Sequence, residues 1–356
     1  MPNIKNTFHQ HVISWYTNNK RSLPFRKTKD PYKIWLSEVM LQQTKVKTAI
    51  PYYNNWIKKL PTLESVSLSK LDSLLKLWEG LGYYKRCNNF HKATKLLVSD
   101  FNSKIPKEKS QFMSLPGVGD YTASAVLSIA FNKPYPVLDG NVKRVMSRII
   151  GIKTLTKYNI KRINKFLNLV ICKKNPGDFN QGLMEIGALI CKPYNPVCRK
   201  CPINNFCYAS KKRLPEAYPV KNKLKPRPHF NVAIAIIWRK NKFYIQKRNA
   251  DQMLGGLWEF PGVIVKQGQD SEVALKQKVY EECGVHIKIF KNVGFVDHAF
   301  SHFKIRLNGY FCIEKKYFLD ENENRKWILI KNIKNYSFPK ANHKLFNQLE
   351  LNNWYV

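Results

Sequence analysis

The chain has 356 residues and carries 61 Lys and Arg against 24 Asp and Glu, a formal net charge of +37 at pH 7. That length suits two domains of ordinary size, and the charge goes far beyond what solubility needs, so a polyanion is the natural partner; a generally lysine-rich composition is the competing source of the excess. The first residues, MPNIKNTFHQHVISWY, hold no apolar core of signal-peptide length, no later run approaches a membrane span, and eight cysteines in a reducing compartment form no disulfide framework; these features predict a cytoplasmic protein without a membrane partner, and a monomer is expected.

Residues 1–208 read as helices separated by Pro and Gly. In DPYKIWLSEVMLQQT, Asp30 is placed to cap a helix whose first position is Pro31. At about 100° per residue, Glu38 falls between Ile34, Trp35 and Leu41, so a carboxyl group interrupts an apolar face. Burial would raise its pKa and let it hold and donate a proton near neutrality; pairing with an arginine such as Arg26 is the structural alternative. The stretch LPGVGDYTASAV, residues 115–126, has a glycine-rich turn at Gly117, Val118 and Gly119 that follows a helical segment rather than a strand, which removes the context of a dinucleotide-binding loop. Helix, tight turn, helix remains, and the N–H groups at the second helix start favour a phosphate oxygen, of a nucleic-acid backbone for example.

Asp139, in PYPVLDGNVKRVMSRII, stands just ahead of Val142, Val145, Met146 and Ile149 at helical spacing, where an Asp is most often an N-cap. Cys191, Cys198, Cys201 and Cys207 lie in CKPYNPVCRKCPINNFC with six, two and five residues between them. Four thiolates so close in sequence repel one another unless a metal neutralises them, and the spacing leaves zinc and an iron–sulfur cluster both open. Cys87, Cys172, Cys283 and Cys312 show no grouping and read as ordinary buried thiols. Residues 209–229 are charged, proline-rich and without apolar period, which predicts a linker. Beyond it, NVAIAIIW and KFYIQKR flank a short polar turn as a hairpin, HIKIF, KNVGFVDHAFSHF and IRLNGYFCI predict further strands, and SEVALKQKVYEEC predicts a helix, so residues 230–356 form a smaller α+β domain.

The turn at 115–126, Asp139 and the cysteine loop, together with PYKIWLSEVMLQQT, WEGLGYYKR, VLDGNVKRV and FNQGLMEIGALIC, resemble the helix-hairpin-helix DNA glycosylases that carry a four-iron four-sulfur cluster, and within them the adenine DNA glycosylases of MutY type. The resemblance spans nearly the whole chain. It implies a multidomain protein: an all-α glycosylase domain over 1–208, with the hairpin at about 108–131 and the cluster loop at 191–207, a linker over 209–229, and a Nudix-like domain over 230–356. The implied activity is hydrolysis of the N-glycosidic bond of adenine mispaired with 8-oxoguanine or guanine in double-stranded DNA. Glu38 would protonate the extruded adenine and Asp139 stabilise the cationic sugar, with Tyr121 and Asn141 orienting it. Tyr121 also stands where bifunctional relatives of endonuclease III type have the lysine that forms a Schiff base, so the resemblance implies a monofunctional enzyme.

On the DNA side the resemblance implies the backbone of Gly117, Val118 and Gly119, Arg26, and Gln43, Leu81 and Tyr83 filling or wedging the vacated stack; a core or surface aromatic is the alternative for Tyr83. Residues 255–262, GGLWEFPG, and the helix after them resemble a Nudix box in which Lys266, Gln269, Gln277 and Lys278 replace box residues, so its Mg²⁺ chemistry is lost while Glu281 and Glu282 remain. The implied recognition loop for 8-oxoguanine is Phe300, Ser301 and His302, with an ordinary strand as the alternative. Two departures stand out: Phe25 where the family commonly has Trp, and Asp120 in the hairpin where Arg is common, a carboxylate that should weaken a phosphate contact. A bifunctional glycosylase with lyase activity and a non-catalytic DNA-binding module are the competing functions.

Overall fold

The computed structural model describes residues 2–220, 226–249, 252–316 and 319–351. Helices come first: α1 (Pro2–Asn19), α2 (Pro31–Leu41), α3 (Val46–Lys59), α4 (Leu63–Ser67), α5 (Leu71–Trp78), α6 (Lys85–Asp100), α7 (Lys109–Met113), α8 (Asp120–Phe131), α9 (Gly140–Ile150), α10 (Lys157–Val170), α11 (Pro176–Leu189) and α12 (Tyr208–Lys211). Strands β1 (His229–Arg239), β2 (Lys242–Lys247), β3 (Trp258–Glu259) and β4 (Gly262–Val265) follow, then α13 (Ser271–Cys283), β5 (His286–Ala299), β6 (Lys304–Lys316), β7 (Arg325–Leu329) and α14 (Lys340–Leu351). The chain packs as two compact units, residues 1–68 with 89–223, and residues 69–88 with 224–356. Among the described residues no helix is long and apolar enough to cross a membrane.

In the first unit, Phe8 and Val12 of α1, Val142, Val145 and Met146 of α9, Ile163 and Leu167 of α10, and Phe179, Leu183 and Ile186 of α11 form one buried cluster. Each such side chain contributes roughly 1.5–3 kcal/mol by leaving water. Around α2 the core is aromatic: Trp35 lies 4.3 Å from Phe90 and 5.6 Å from Phe112, centroid to centroid.

In the second unit, β1 is central, pairing with β2 and β4 antiparallel and with β6 parallel. Its alternate residues face opposite sides: Ile234 and Ile236 pack with Phe338 and Leu345 toward α14, while Ala233, Ala235 and Ile237 pack with Leu275 and Val279 of α13. This is why NVAIAIIW reads as an unbroken apolar run, since both faces of the sheet are covered. The expected hairpin forms, with Arg239 opposite Lys242 across Lys240 and Asn241.

Three expectations change. Residues 69–88, placed with the helical domain from the sequence, pack with the second unit; the helical spacing of α5 says nothing about which core its apolar face joins. Of the predicted linker, residues 209–220 fold onto the first unit: Ala209 and Tyr218 are buried, and Arg148 Nε donates to the Tyr218 carbonyl at 3.0 Å. Ala209 and Tyr218 join the helical core and the Val220 N–H bonds the Lys153 carbonyl at 2.8 Å, so a segment that its charge and prolines mark as solvated is docked; residues 221–225 lie outside the described residues. HIKIF and KNVGFVDHA make one long bulged strand, β5, whereas Phe300 to Phe303 leave it as a turn closed by Phe300 N donating to Phe303 O at 2.8 Å.

Candidate active site and its surroundings

Asp30 caps α2 by accepting from the N–H groups of Tyr32 and Lys33, and Pro31 starts the helix as expected. The helix is buried over nearly its whole length, which leaves Glu38 only 6% exposed. Burial raises its pKa to about 7 against the hydrogen bond from Tyr121, and the charge of Asp139 adds to the rise. Tyr121, at the start of α8, donates its hydroxyl to Glu38 Oε2 at 2.5 Å, and its Oη lies 3.9 Å from Met184 Sδ. Burial, reinforced by Glu38, holds the phenol well above its ordinary pKa, so it stays protonated and a donor.

Asp139 caps α9, as the sequence indicated: Oδ1 accepts from Val142 N at 2.6 Å and Oδ2 from Asn141 Nδ2 at 3.2 Å. Its pKa is nonetheless raised, because burial outweighs these donors and the nearby Arg144. Asn141 accepts from Arg144 at 2.9 Å, and the same guanidinium bonds the carbonyls of Gly187 and Cys191, each at 2.7 Å. Helix α11 passes so close that a Cβ on Gly187 would sit 2.6 Å from Asn141 Cβ.

Arg26 does not pair with Glu38 and does not point into solvent. Its guanidinium bonds both oxygens of Glu185, at 3.0 and 2.7 Å, and Arg21 binds the same carboxylate at 2.8 and 2.7 Å. With its side chain 12% exposed, Arg26 is engaged in this triad, which leaves little of it free for the DNA contact expected of it. Burial alone would raise Glu185, but the two guanidiniums prevail and hold it down at about 2. Glu185 and Arg21 went unassigned in the sequence; the signal was there, since Glu185 sits between Leu183 and Ile186 just as Glu38 sits among apolar neighbours.

The hairpin between α7 and α8 turns at Gly117, whose φ is +79° and whose Cβ would stand 2.8 Å from Asn89 Cβ, so only glycine fits. Gly119 starts α8 with extended backbone and no side-chain cap, which leaves the first-turn N–H groups available to an anion. Val118 is buried and offers only its backbone. Asp120 is not a bare charge: its Oδ1 lies 2.7 Å from Lys109 Nζ, which also stands 5.0 Å from the Tyr135 ring. Gln43 is exposed with φ of +55° just after α2.

Cys191, Cys198, Cys201 and Cys207 line one cavity with Val145, Arg148, Ile149 and Ile203. Burial pushes the Cys201 thiol up to about 12, and the other three sulfurs add to the rise. Arg148 donates to Cys191 Sγ at 3.2 Å, the kind of bond that steadies a thiolate ligand. Among the described residues no group of three or more His, Cys, Asp or Glu is gathered to hold a metal ion. The four sulfurs face a common cavity, and a set of four thiolates suits either a zinc ion or an iron–sulfur cluster. Of the remaining cysteines, Cys87 and Cys312 are buried as expected, while Cys172 and Cys283 are only partly so.

The second unit brings together two residues the sequence singled out separately: Tyr83 Oη and Ser301 Oγ are hydrogen-bonded at 2.6 Å. Ser301 and His302 are exposed, and the Phe300 ring lies 4.8 Å from that of Phe303, tilted by 33°. Leu81, expected to help fill the vacated stack, is 6% exposed in the DNA-free protein. On α13, Lys278 lies 3.0 Å from Glu282 Oε1 while Gln246 donates to Oε2 at 3.1 Å, and Gln277 donates to Glu281 at 3.0 Å. The acids left in the box are thus occupied by side chains of the chain itself.

Residues 36–168 match the HhH-GPD superfamily base excision DNA repair proteins, and residues 232–348 match the NUDIX domain. An adenine DNA glycosylase of Buchnera aphidicola subsp. Schizaphis graminum is 37% identical over 345 residues, 95% of this chain and 97% of that protein. Its counterpart from the Acyrthosiphon pisum symbiont is 36% identical over 98% of this chain and 99% of its own length. Among solved structures, a thermostable thymine-DNA glycosylase aligns with 59% of this chain and 98% of its own, at a TM-score of 0.55 and 26% identity. With relatives this similar end to end, and with both parts of the chain matched, the protein belongs to the adenine DNA glycosylase family.

Proposed function

We propose that the protein hydrolyses the N-glycosidic bond of adenine placed opposite 8-oxoguanine, or less readily guanine, in duplex DNA, without cleaving the strand. The observation that carries this reading is a carboxyl group poised near pH 7: Glu38, buried, tethered by a protonated Tyr121 and within electrostatic reach of Asp139. A group of that pKa can hold a proton at neutral pH and release it to a ring nitrogen of adenine, which turns the base into a neutral leaving group. Tyr121 fixes one oxygen of Glu38, so the other carries the proton. Asp139, held by Val142 N and Asn141, supplies negative charge to the sugar as the bond breaks, and its donors keep the carboxylate oriented.

The phenol of Tyr121 is neither an amine nor free, which supports a monofunctional outcome over a lyase that needs a Schiff base. Gly117 to Gly119 would take a backbone phosphate, Gln43 and Tyr83 would fill the stack, and Phe300, Ser301 and His302 would read the base opposite. Cys191, Cys198, Cys201 and Cys207 would hold a four-iron four-sulfur cluster, which when bound cross-links the end of α11 to the loop before α12. The cavity shared by the four sulfurs supports a metal centre at this place, and the family resemblance favours the cluster over a single zinc.

The test is single-turnover adenine release from duplexes with adenine opposite 8-oxoguanine, guanine or thymine. Release in that order of rate is expected; a protein that binds these duplexes without releasing adenine would be the non-catalytic module instead. Borohydride trapping of a covalent adduct would favour the lyase.

A further inference from the structure

Between the end of α5 and the start of α6 the backbone makes an unusual turn: Gly80 has φ of +92°, Gly82 of +79° and Tyr83, which is not glycine, of +52°. An L-residue held there needs surrounding contacts to keep it. Ser301 Oγ holds the Tyr83 hydroxyl at 2.6 Å, and most of the contacts to the turn itself come from one side chain. Arg86 Nη2 donates to the Gly82 carbonyl at 2.9 Å, its Nε reaches the Tyr83 carbonyl at 3.4 Å, and its backbone N–H bonds that same carbonyl at 2.9 Å. Its guanidinium carbon lies 5.3 Å from the centre of the Tyr83 ring and 5.5 Å from that of Trp78. Trp78 Nε1 completes the cage by donating to the Gly82 carbonyl at 3.1 Å.

We propose that Arg86 is the positioning residue for Tyr83: it grips the carbonyls of the strained turn with its fork and supports the Tyr83 ring with its flat face, so that the ring projects into the DNA stack. The inference rests on the reading of Tyr83 as a residue that fills the stack. Arginine is suited to both tasks at once, since its planar group offers in-plane donors and a face for stacking, whereas lysine offers a single point charge. Leu81, buried in the same turn, then acts as its apolar footing.

The experiment compares wild type, Arg86→Met, Arg86→Lys, Tyr83→Ala and the double variant Arg86→Met/Tyr83→Ala. Two signals are read on a duplex opposite 8-oxoguanine: fluorescence of 2-aminopurine in place of adenine, which reports extrusion, and single-turnover release of adenine. Arg86→Met should lower both signals by on the order of 10- to 100-fold, as misplacement of a positioning group does, and Arg86→Lys should fall between it and wild type. In the Tyr83→Ala protein the Arg86→Met change should add little, because the ring it positions is gone. The pH dependence of release should keep its shoulder near 7 in every variant, since the proton donor Glu38 is untouched. Full and independent losses from the two sites, or an Arg86→Met protein with wild-type extrusion, would overturn the proposal. If Arg86→Met melts far below wild type, Arg86→Lys decides, compared alone and in a further Arg86→Lys/Tyr83→Ala protein: equal losses with and without Tyr83 overturn the proposal, and losses seen only with Tyr83 support it. A wild-type protein that releases no adenine at all would instead refute the enzymatic reading, and the extrusion signal would still test Arg86.

Discussion

The two units each place glutamates on a helix, with opposite results. Glu38 on α2 is buried, and the arginine nearest to it in the sequence reading, Arg26, is committed to Glu185; its pKa climbs to about 7. Glu282 on α13 is partly exposed and bonded by Lys278 and Gln246. Burial keeps Glu38 from water and raises it, and Glu185 bonds both guanidiniums, so Arg26 acts on Glu38 only at a distance, as a charge that lowers its pKa without overcoming burial. In the second unit a lysine one helical turn away fills the place a metal would need.

Glu38→Gln tests the first half of that contrast with the largest expected effect. Adenine release should fall by roughly 10²- to 10⁴-fold, the range for losing a general acid, while binding to the mispair persists; release at the normal rate would remove Glu38 from the chemistry. In the unaltered protein the rate should decline as pH rises through about 7, because the donor is the protonated form and its folded pKa is raised to that value.

Glu185→Ala probes the diversion of the arginines. It strands two cations beside a buried site and should cost about 3–5 kcal/mol of stability by chemical denaturation. The folded pKa of Glu185 lies near 2 against an ordinary 4.5, so its contribution is present above pH 4.5 and is lost as pH falls toward 2; at 1.36 kcal/mol per unit it amounts to about 3 kcal/mol. Unfolding followed between those pH values should show that slope in wild type and not in the variant. A freed Arg26 should also move the shoulder of the activity profile below 7, since its charge lowers the pKa of Glu38. An unchanged shoulder would mean the diversion is irrelevant to Glu38.

Smaller effects belong to the second unit. Ser301→Ala removes one exposed hydroxyl and should reduce the preference for 8-oxoguanine over guanine by about 5- to 10-fold, the worth of a single hydrogen bond of about 1 kcal/mol; equal loss against both bases would mean the loop does not discriminate. Lys278→Ala should be nearly silent, changing stability by less than about 1 kcal/mol as exposed pairs do. Mg²⁺-dependent diphosphate hydrolysis appearing in that variant would show that the lysine alone had silenced a working box.

Much of the helical unit could be read from local pattern. Asp30 and Pro31 announce the start of α2, Asp139 the start of α9, and Gly117 the turn before α8, because caps and turns depend on residues a few positions apart. The segment 209–220 could not, since its docking depends on Tyr218 meeting a core built from α9 and α11. Nor could the turn at 300–303, where the alternation of β5 continues in sequence after its hydrogen bonding has stopped.

The sequence by itself determined the division into an all-α and an α+β part, the hairpin, the cysteine loop, and the presence of carboxyl groups on apolar helix faces, all properties of spacing within one segment. Only the tertiary structure decided which carboxyl would keep its proton. That choice turns on partners 159 and 164 residues away, the arginines that close on Glu185 and leave Glu38 to Tyr121, and a pKa is set by the charges and solvent that folding brings near or removes.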